Sequence, residues 1–300
     1  MTVSEAIEEF LSYIQSVRVL SANTVTACRN DLYQFKVMPF IGATREISSI
    51  VLEDLKQCVG LLSKKKRSAA SINRFISSVR SLFAYCRKYG HLSVNVALDF
   101  KTIKNPKKLP RFMTGDEIDR LCREPETNEL LWEKRDKALF EMLYSSGCRA
   151  SEIVSLTLDD FNGDYSSAIV TGKGSKDRRV YFEKDAQDAL KAYLEDRKKR
   201  FGDADLERHV FLNQRGGPLT TGGLRLIISR YSGSEGTKHH VSPHAFRHTF
   251  ATAMITNGAD VRMVQELLGH SSISTTQRYT HISTEKMIEM YNKAHPHGGN

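Results

Sequence analysis

The stretch Ser242–His281, SPHAFRHTFATAMITNGADVRMVQELLGHSSISTTQRYTH, decides how this chain is read. Ser242 and Pro243 suit an N-cap and a first helical position, and Asn257-Gly258 suits a helix end. Asp260 suits the cap of a second helix, which runs to Leu268 and breaks at Gly269. His244, Arg247 and His248 share one face of the first helix at i, i+3 and i+4. His270, Arg278, Tyr279 and His281 follow the second. Two functions fit this layout. One is a DNA-binding helix-turn-helix without chemistry. The other is a phosphodiester site, with cations to hold the phosphate and Tyr279 to attack it. A metal site at His244 and His248 is a weaker third reading, because Arg247 between them repels a cation and no zincin-type Glu is present.

The rest of the chain bears on that choice. The sequence has 300 residues, 40% of them hydrophobic, which suits two soluble domains. No run of 18 apolar residues suggests a transmembrane helix, so no membrane partner is expected. The acidic start MTVSEAIEEF lacks a signal-peptide pattern, so a cytoplasmic location is expected. Cys28, Cys58, Cys86, Cys122 and Cys148 are scattered singly, the pattern of free thiols in a reducing compartment.

Charge is unevenly placed. Residues 1–108 hold 17 Lys and Arg against 8 Asp and Glu, whereas the remainder balances at 27 to 27. The whole net charge of +9 therefore sits in the first third, where a polyanion such as nucleic acid is a natural partner. Apolar periodicity there predicts helices over 3–18, 21–37, 50–62 and 68–89. Between the last two lies Lys64-Lys65-Lys66-Arg67, either a solvated loop or a phosphate-backbone contact. Arg74 and Arg80 continue the positive character along the fourth helix. These six are the candidate DNA-binding residues.

Residues 101–111, KTIKNPKKLPR, carry five cations and two prolines without apolar periodicity, and predict a linker. The expected division is therefore 1–100, linker 101–111, and 112–300. In the last part helices are predicted over 114–123, 133–145 and 150–157, with Thr114 and Glu117 spaced as a capping box. Strand-like runs at 168–171 and 179–182 flank Gly172-Lys173-Gly174, which places Lys173 at a hairpin tip. The spacing there does not match a nucleotide-binding P-loop.

Arg149, Lys173, His244-Ala-Phe-Arg247-His248, Leu268-Gly-His270 and Tyr279, taken in order, resemble the tyrosine recombinase (phage integrase) family. They lie in GCRASE at 147–152, TGKGSKDR at 171–178, HAFRHTFAT at 244–252 and LGHSSISTTQRYTH at 268–281, and the helical segment SAASINRFISSVRSLFAYCRKYGHL at 68–92 is similar to the family's core-binding domain. Phe246 stands where Leu is more usual. The tail KMIEMYNKAHP at 286–296 is similar to the Xer type, which resolves chromosome dimers; Asn95-Val96 departs from that type's Asn-Pro.

The resemblance implies a mainly α, two-domain C-clamp. A helical-bundle core-binding domain would precede a mostly helical catalytic domain with a small β-sheet and a C-terminal tail helix. It implies Tyr279 as nucleophile, Arg149 and Arg247 on the non-bridging oxygens, and Lys173 as general acid. His244 and His270 would assist. No cofactor is implied. The implied partners are a double-stranded DNA recombination site and a homo- or hetero-tetramer on it, with a second recombinase or a septal DNA translocase as further candidates. The apolar Met287, Ile288, Met290 and Tyr291 of the tail are expected to dock into a neighbouring protomer. A mobile-element integrase of the same family is the alternative.

Overall fold

The computed structural model describes residues 1–104, 113–127, 132–172, 176–202, 208–232, 241–269 and 284–296. The chain divides into two compact units, Met1–Leu109 and Pro110–Asn300. Each is treated by itself.

The first unit is a bundle of four helices, α1 (Val3–Ser16), α2 (Ala22–Lys36), α3 (Leu52–Lys64) and α4 (Ala69–Lys88). Their starts are set by local chemistry. Thr2 and Glu5 exchange bonds as a capping box, while Ser21 and Ser68 each accept an N–H of the first turn. The stripe Ile72, Phe75, Ile76, Val79, Leu82, Phe83 and Cys86 is buried throughout, and it packs with Val3, Ile7 and Phe10 of α1 and with Leu32 and Phe35 of α2. One core position defies the apolar pattern. Asp31 is 3% exposed on α2. Arg74 on α4 donates to both of its oxygens at 3.0 Å, and Ser78 donates at 3.0 Å, so its charge is compensated.

The second unit begins with α5 (Gly115–Thr127), whose Thr114 and Glu117 form the expected capping box. Next come α6 (Glu133–Ser146) and α7 (Ala150–Ser155). Strands β1 (Ser167–Thr171) and β2 (Asp177–Tyr181) pair antiparallel, with Val170 opposite Arg178. Then follow α8 (Lys184–Phe201), α9 (Thr221–Tyr231), α10 (Pro243–Thr256), α11 (Val261–Leu268) and α12 (Thr284–Ala294). Buried α6 is the centre of this unit and packs on α5, α8 and α10. Phe246 is fully buried with its ring 5.7 Å from that of Phe140, so the aromatic at this position fills core volume. Ser242 holds the N-cap position of α10 without a side-chain cap bond, and Pro243 follows it as the first residue. The 210–212 segment forms a single bridge, Leu212 to Pro218, in place of a full strand.

In the single chain α12 packs on its own unit. Met287 and Tyr291 are buried with Phe250, Met254, Met263 and Leu267. The Tyr291 hydroxyl donates to Ser145 O at 2.9 Å, and Asn257 Nδ2 donates to Ala294 O at 3.0 Å. A lone amphipathic helix needs an apolar partner, and α10 and α11 supply it within the same unit. Ile288 remains exposed.

One buried group weakens this unit. Glu141 on α6 is 6% exposed, and its Oε2 has no hydrogen-bond partner among the described residues. Burial, then the nearby Asp185, pushes its carboxyl up to about 7 against the pull of Lys137. A folded-state value above the unfolded one favours folding at low pH, and the benefit is lost as pH rises through about 7. Glu141→Gln is therefore expected to stabilise the protein by on the order of 2 kcal/mol at about pH 8 and by nothing near pH 4. Urea unfolding at both pH values checks this. An equal gain at the two would rule out charge as the cause.

Candidate active site

The site is assembled around the end of α6. Gly147 caps that helix in the left-handed region, with φ of 60°. A Cβ there would lie 2.5 Å from Phe250 Cδ1, so both backbone and space require glycine. The chain then turns through Cys148, which is fully buried. Burial pushes its thiol up to about 11, which removes it as a nucleophile at neutral pH.

Arg149 holds the N-cap position of α7. Its backbone N–H donates to Glu152 Oε2 at 2.7 Å, and Nη1 donates to Glu152 Oε1 at 2.7 Å. Nη2 reaches Gly269 O at 3.2 Å. Arg178, from β2, donates from Nη1 and Nη2 to the two Glu152 oxygens and from Nε to Leu267 O, each at 2.8 Å. Arg247, from the second turn of α10, donates from Nη1 to Gly147 O at 2.8 Å and from Nη2 to Leu268 O at 2.5 Å. Three successive carbonyls, 267, 268 and 269, thus each accept from a different arginine. These are the carbonyls that a helix C-terminus leaves free and that carry its negative dipole end.

The electrostatics follow. Burial pushes the Glu152 carboxyl up, but Arg178 and the Arg149 N–H outweigh it and hold it down at about 2. Three guanidiniums around one carboxylate leave a net positive site. Burial first, then Arg149 and Arg178, lowers Arg247 to about 10, so it is still a cation at neutral pH. An anion placed here relieves the repulsion among the arginines, which is the property of a phosphate site.

The structure thus brings together Arg149 and Arg247 of the six candidate catalytic residues. His244 lies on the exposed side of α10, in the turn that carries Arg247. Lys173, His270 and Tyr279 lie outside the described residues. Glu152 and Arg178 were not singled out from the sequence. Glu152 had a readable signal, since it stands three residues after a helix start, the spacing of a capping carboxylate. Among the described residues no three His, Cys, Asp or Glu gather within metal-binding reach.

The basic candidates of the first unit separate into two places. Lys64 ends α3, Lys65 caps it, Lys66 has φ of 53°, and all of Lys64, Lys65, Lys66 and Arg67 are exposed. Arg67 and Arg74 line one surface groove with Asn30, Asp31, Gln34 and Ser71. Arg74 is 58% exposed although Asp31 engages two of its nitrogens. Arg80 lines a second groove with Ser77, Ser81 and Asn95.

The pattern of the phage integrase family matches residues 111–286, and that of the phage integrase N-terminal SAM-like domain matches residues 7–90. The chain belongs to the phage integrase family, the tyrosine recombinases. Tyrosine recombinase XerC of Treponema denticola is 39% identical over 98% of this chain and 100% of that protein. Tyrosine recombinase XerD of Staphylococcus haemolyticus is 34% identical over 97% of this chain and 98% of that one. Among solved structures, the Tn1549 transposon integrase in complex with transposon right end DNA shares the fold, with a TM-score of 0.72. That likeness covers 95% of this chain and 97% of the other at 21% identity. Tyrosine recombinases cleave and rejoin DNA through a tyrosine nucleophile. In this recombinase no helix among the described residues is long and apolar enough to cross a membrane.

Proposed function

We propose that this recombinase exchanges strands at a specific duplex site through a 3′-phosphotyrosyl intermediate, and that it resolves chromosome dimers at cell division. The observation that supports it best is the convergence of Arg149 and Arg247 on the end of α11, one residue before His270. Phosphodiester transfer needs a nucleophile, donors for the non-bridging oxygens and a proton for the leaving oxygen. The Tyr279 oxygen bonds to phosphorus and its proton passes to His244. Arg149 and Arg247 hold the non-bridging oxygens, with His270 beside them. The bond from phosphorus to the 5′ oxygen breaks, and Lys173 supplies the proton that this oxygen takes. The ester keeps the bond energy, so rejoining needs no ATP.

The basic groove and Lys64–Arg67 hold the duplex through its phosphates. The unit of action is a tetramer on DNA in the cytoplasm, formed from this chain alone or with a second recombinase, under control of a septal translocase.

The test is capture. A labelled library of nicked duplexes, incubated with the protein and run on a denaturing gel, is expected to yield a covalent protein–DNA adduct. Sequencing that DNA gives the site. The adduct is expected in undiminished amount with EDTA present. Retarded but never covalently attached DNA would identify a regulator instead, and loss of the adduct in EDTA would overturn the tyrosine mechanism. Adducts that relax supercoils yet never give recombinant junctions would identify a topoisomerase.

A further inference from the structure

Arg178 has the most fully engaged guanidinium of the site. Its side chain is 11% exposed, against 29% for Arg149. All three of its nitrogens donate to acceptors of the protein, two to Glu152 and one to Leu267 O. It is therefore not placed to hold a phosphate. On the recombinase reading above, we propose that Arg178 is a positioning residue for strand cleavage. It aims Arg149 through the shared Glu152 carboxylate and fixes the end of α11 against β2.

The argument is geometric. The Arg149 guanidinium meets Glu152 at one point, Oε1, at 2.7 Å, while the Arg149 backbone N–H holds Oε2 at 2.7 Å. The backbone bond anchors one oxygen only, and the single side-chain contact leaves the guanidinium free to swivel about the other. Arg178 grips both oxygens in the bidentate geometry, so the carboxylate cannot rotate. With Oε1 fixed, the guanidinium of Arg149 is fixed in turn.

The other end of Arg178 works on α11. Gly269 has φ of 64°, and a Cβ there would fall 3.0 Å from Arg178 Cδ. Gly269 is thus held between Arg178, which lies over it, and Arg149, which bonds its carbonyl. The same strand carries the chain back toward Lys173. Gly172, its neighbour, pairs with Lys176 O at 2.8 Å, and a Cβ there would lie 3.4 Å from Glu152 Oε1. One guanidinium therefore ties together β2, the start of α7 and the end of α11. A catalytic group displaced by about 1 Å loses on the order of 100-fold in rate.

A purely structural Arg178 and a positioning Arg178 separate in one experiment. Two nicked duplexes carry the sequence recovered in the adducts and differ only at the scissile group. One has the ordinary phosphodiester, and the other has a methylphosphonate, in which a methyl replaces one non-bridging oxygen and removes the charge. The aim of Arg149 matters where there is a charge to hold. Arg178→Lys keeps the cation but makes one contact in place of three. It is expected to form adduct about 100-fold more slowly than the parent on the phosphodiester and within about 3-fold of it on the methylphosphonate. DNA affinity is expected to stay within about 3-fold, because the phosphate contacts of the first unit are untouched.

Equal slowing on both substrates would make Arg178 a scaffold residue and overturn the proposal, as would no slowing on either. The double variant Arg178→Met with Glu152→Gln removes the buried pair together and leaves the partly exposed Arg149 only the neutral Gln oxygen to meet, so the same split is expected from it. A double variant that melts with the parent and shows no split is equally fatal. A parent chain that forms no adduct on either duplex would instead overturn the recombinase reading, and this proposal with it.

Discussion

A Tyr279→Phe variant binds its duplex as tightly as the parent and forms no covalent adduct with it. The substitution deletes one oxygen and keeps the ring, so packing and charge are unchanged while the nucleophile is gone. The expected fall in adduct is on the order of 10⁵-fold or more, as for other nucleophile deletions. Four tyrosines of the second unit are too buried to take its place, since Tyr144, Tyr193, Tyr231 and Tyr291 are 2% exposed or less. Their hydroxyls serve the fold where bonds are seen: Tyr193 donates to Val210 O, Tyr231 to Asp136 and Tyr291 to Ser145. Burial raises the hydroxyls of Tyr144, Tyr193 and Tyr291 far from an ionisable range at neutral pH. Gel retardation measures the binding, and a denaturing gel with end-labelled DNA measures the adduct. An adduct that survives in the variant would move the nucleophile to another residue.

Most of the elements were legible because each is set by its own neighbours. The α4 stripe repeats at helical spacing, and all seven of its apolar positions are buried. Thr114 and Glu117 cap α5 from within three residues, and Gly147 ends α6 with its own positive φ. What the sequence concealed depends on partners far along the chain. Asp31 is a surface residue by composition, and Arg74 and Ser78, 43 and 47 positions away, make its burial tolerable. Glu152 and Arg178 lie 26 positions apart, and no local pattern says that they meet. The tail helix shows the same limit. Its amphipathic face announced that it needs a partner, and the pattern cannot say whose chain supplies one. Arg149 and Arg247 were legible as cations near helix starts, through their motifs. Their common target, the carbonyls at the end of α11, is a property of the fold alone.

Arg247→Lys keeps the charge and is expected to cost on the order of 100- to 1,000-fold in the rate of adduct formation. Arg247 is 9% exposed and spans two carbonyls from different elements, Gly147 O at the end of α6 and Leu268 O at the end of α11. A planar fork meets both and still presents N–H groups to a phosphate. A lysine reaches one of them at most, so a buried carbonyl loses its donor. A lower urea midpoint, by about 1–3 kcal/mol, is expected alongside the rate loss. The two effects are separable by pH. Burial and the neighbouring Arg149 and Arg178 lower Arg247 to about 10, which leaves it charged over the working range. The same surroundings act on a lysine, which starts lower, and carry it into the range where it loses its proton as pH rises. The kcat/KM profile reports the free protein, so the variant is expected to lose activity at a lower pH on the alkaline side than the parent does. Single-turnover adduct rates across the pH range distinguish this from a folding defect. A variant slowed by the same factor at every pH would show that the fork geometry alone matters. A variant that fails only at high pH would show that charge alone does.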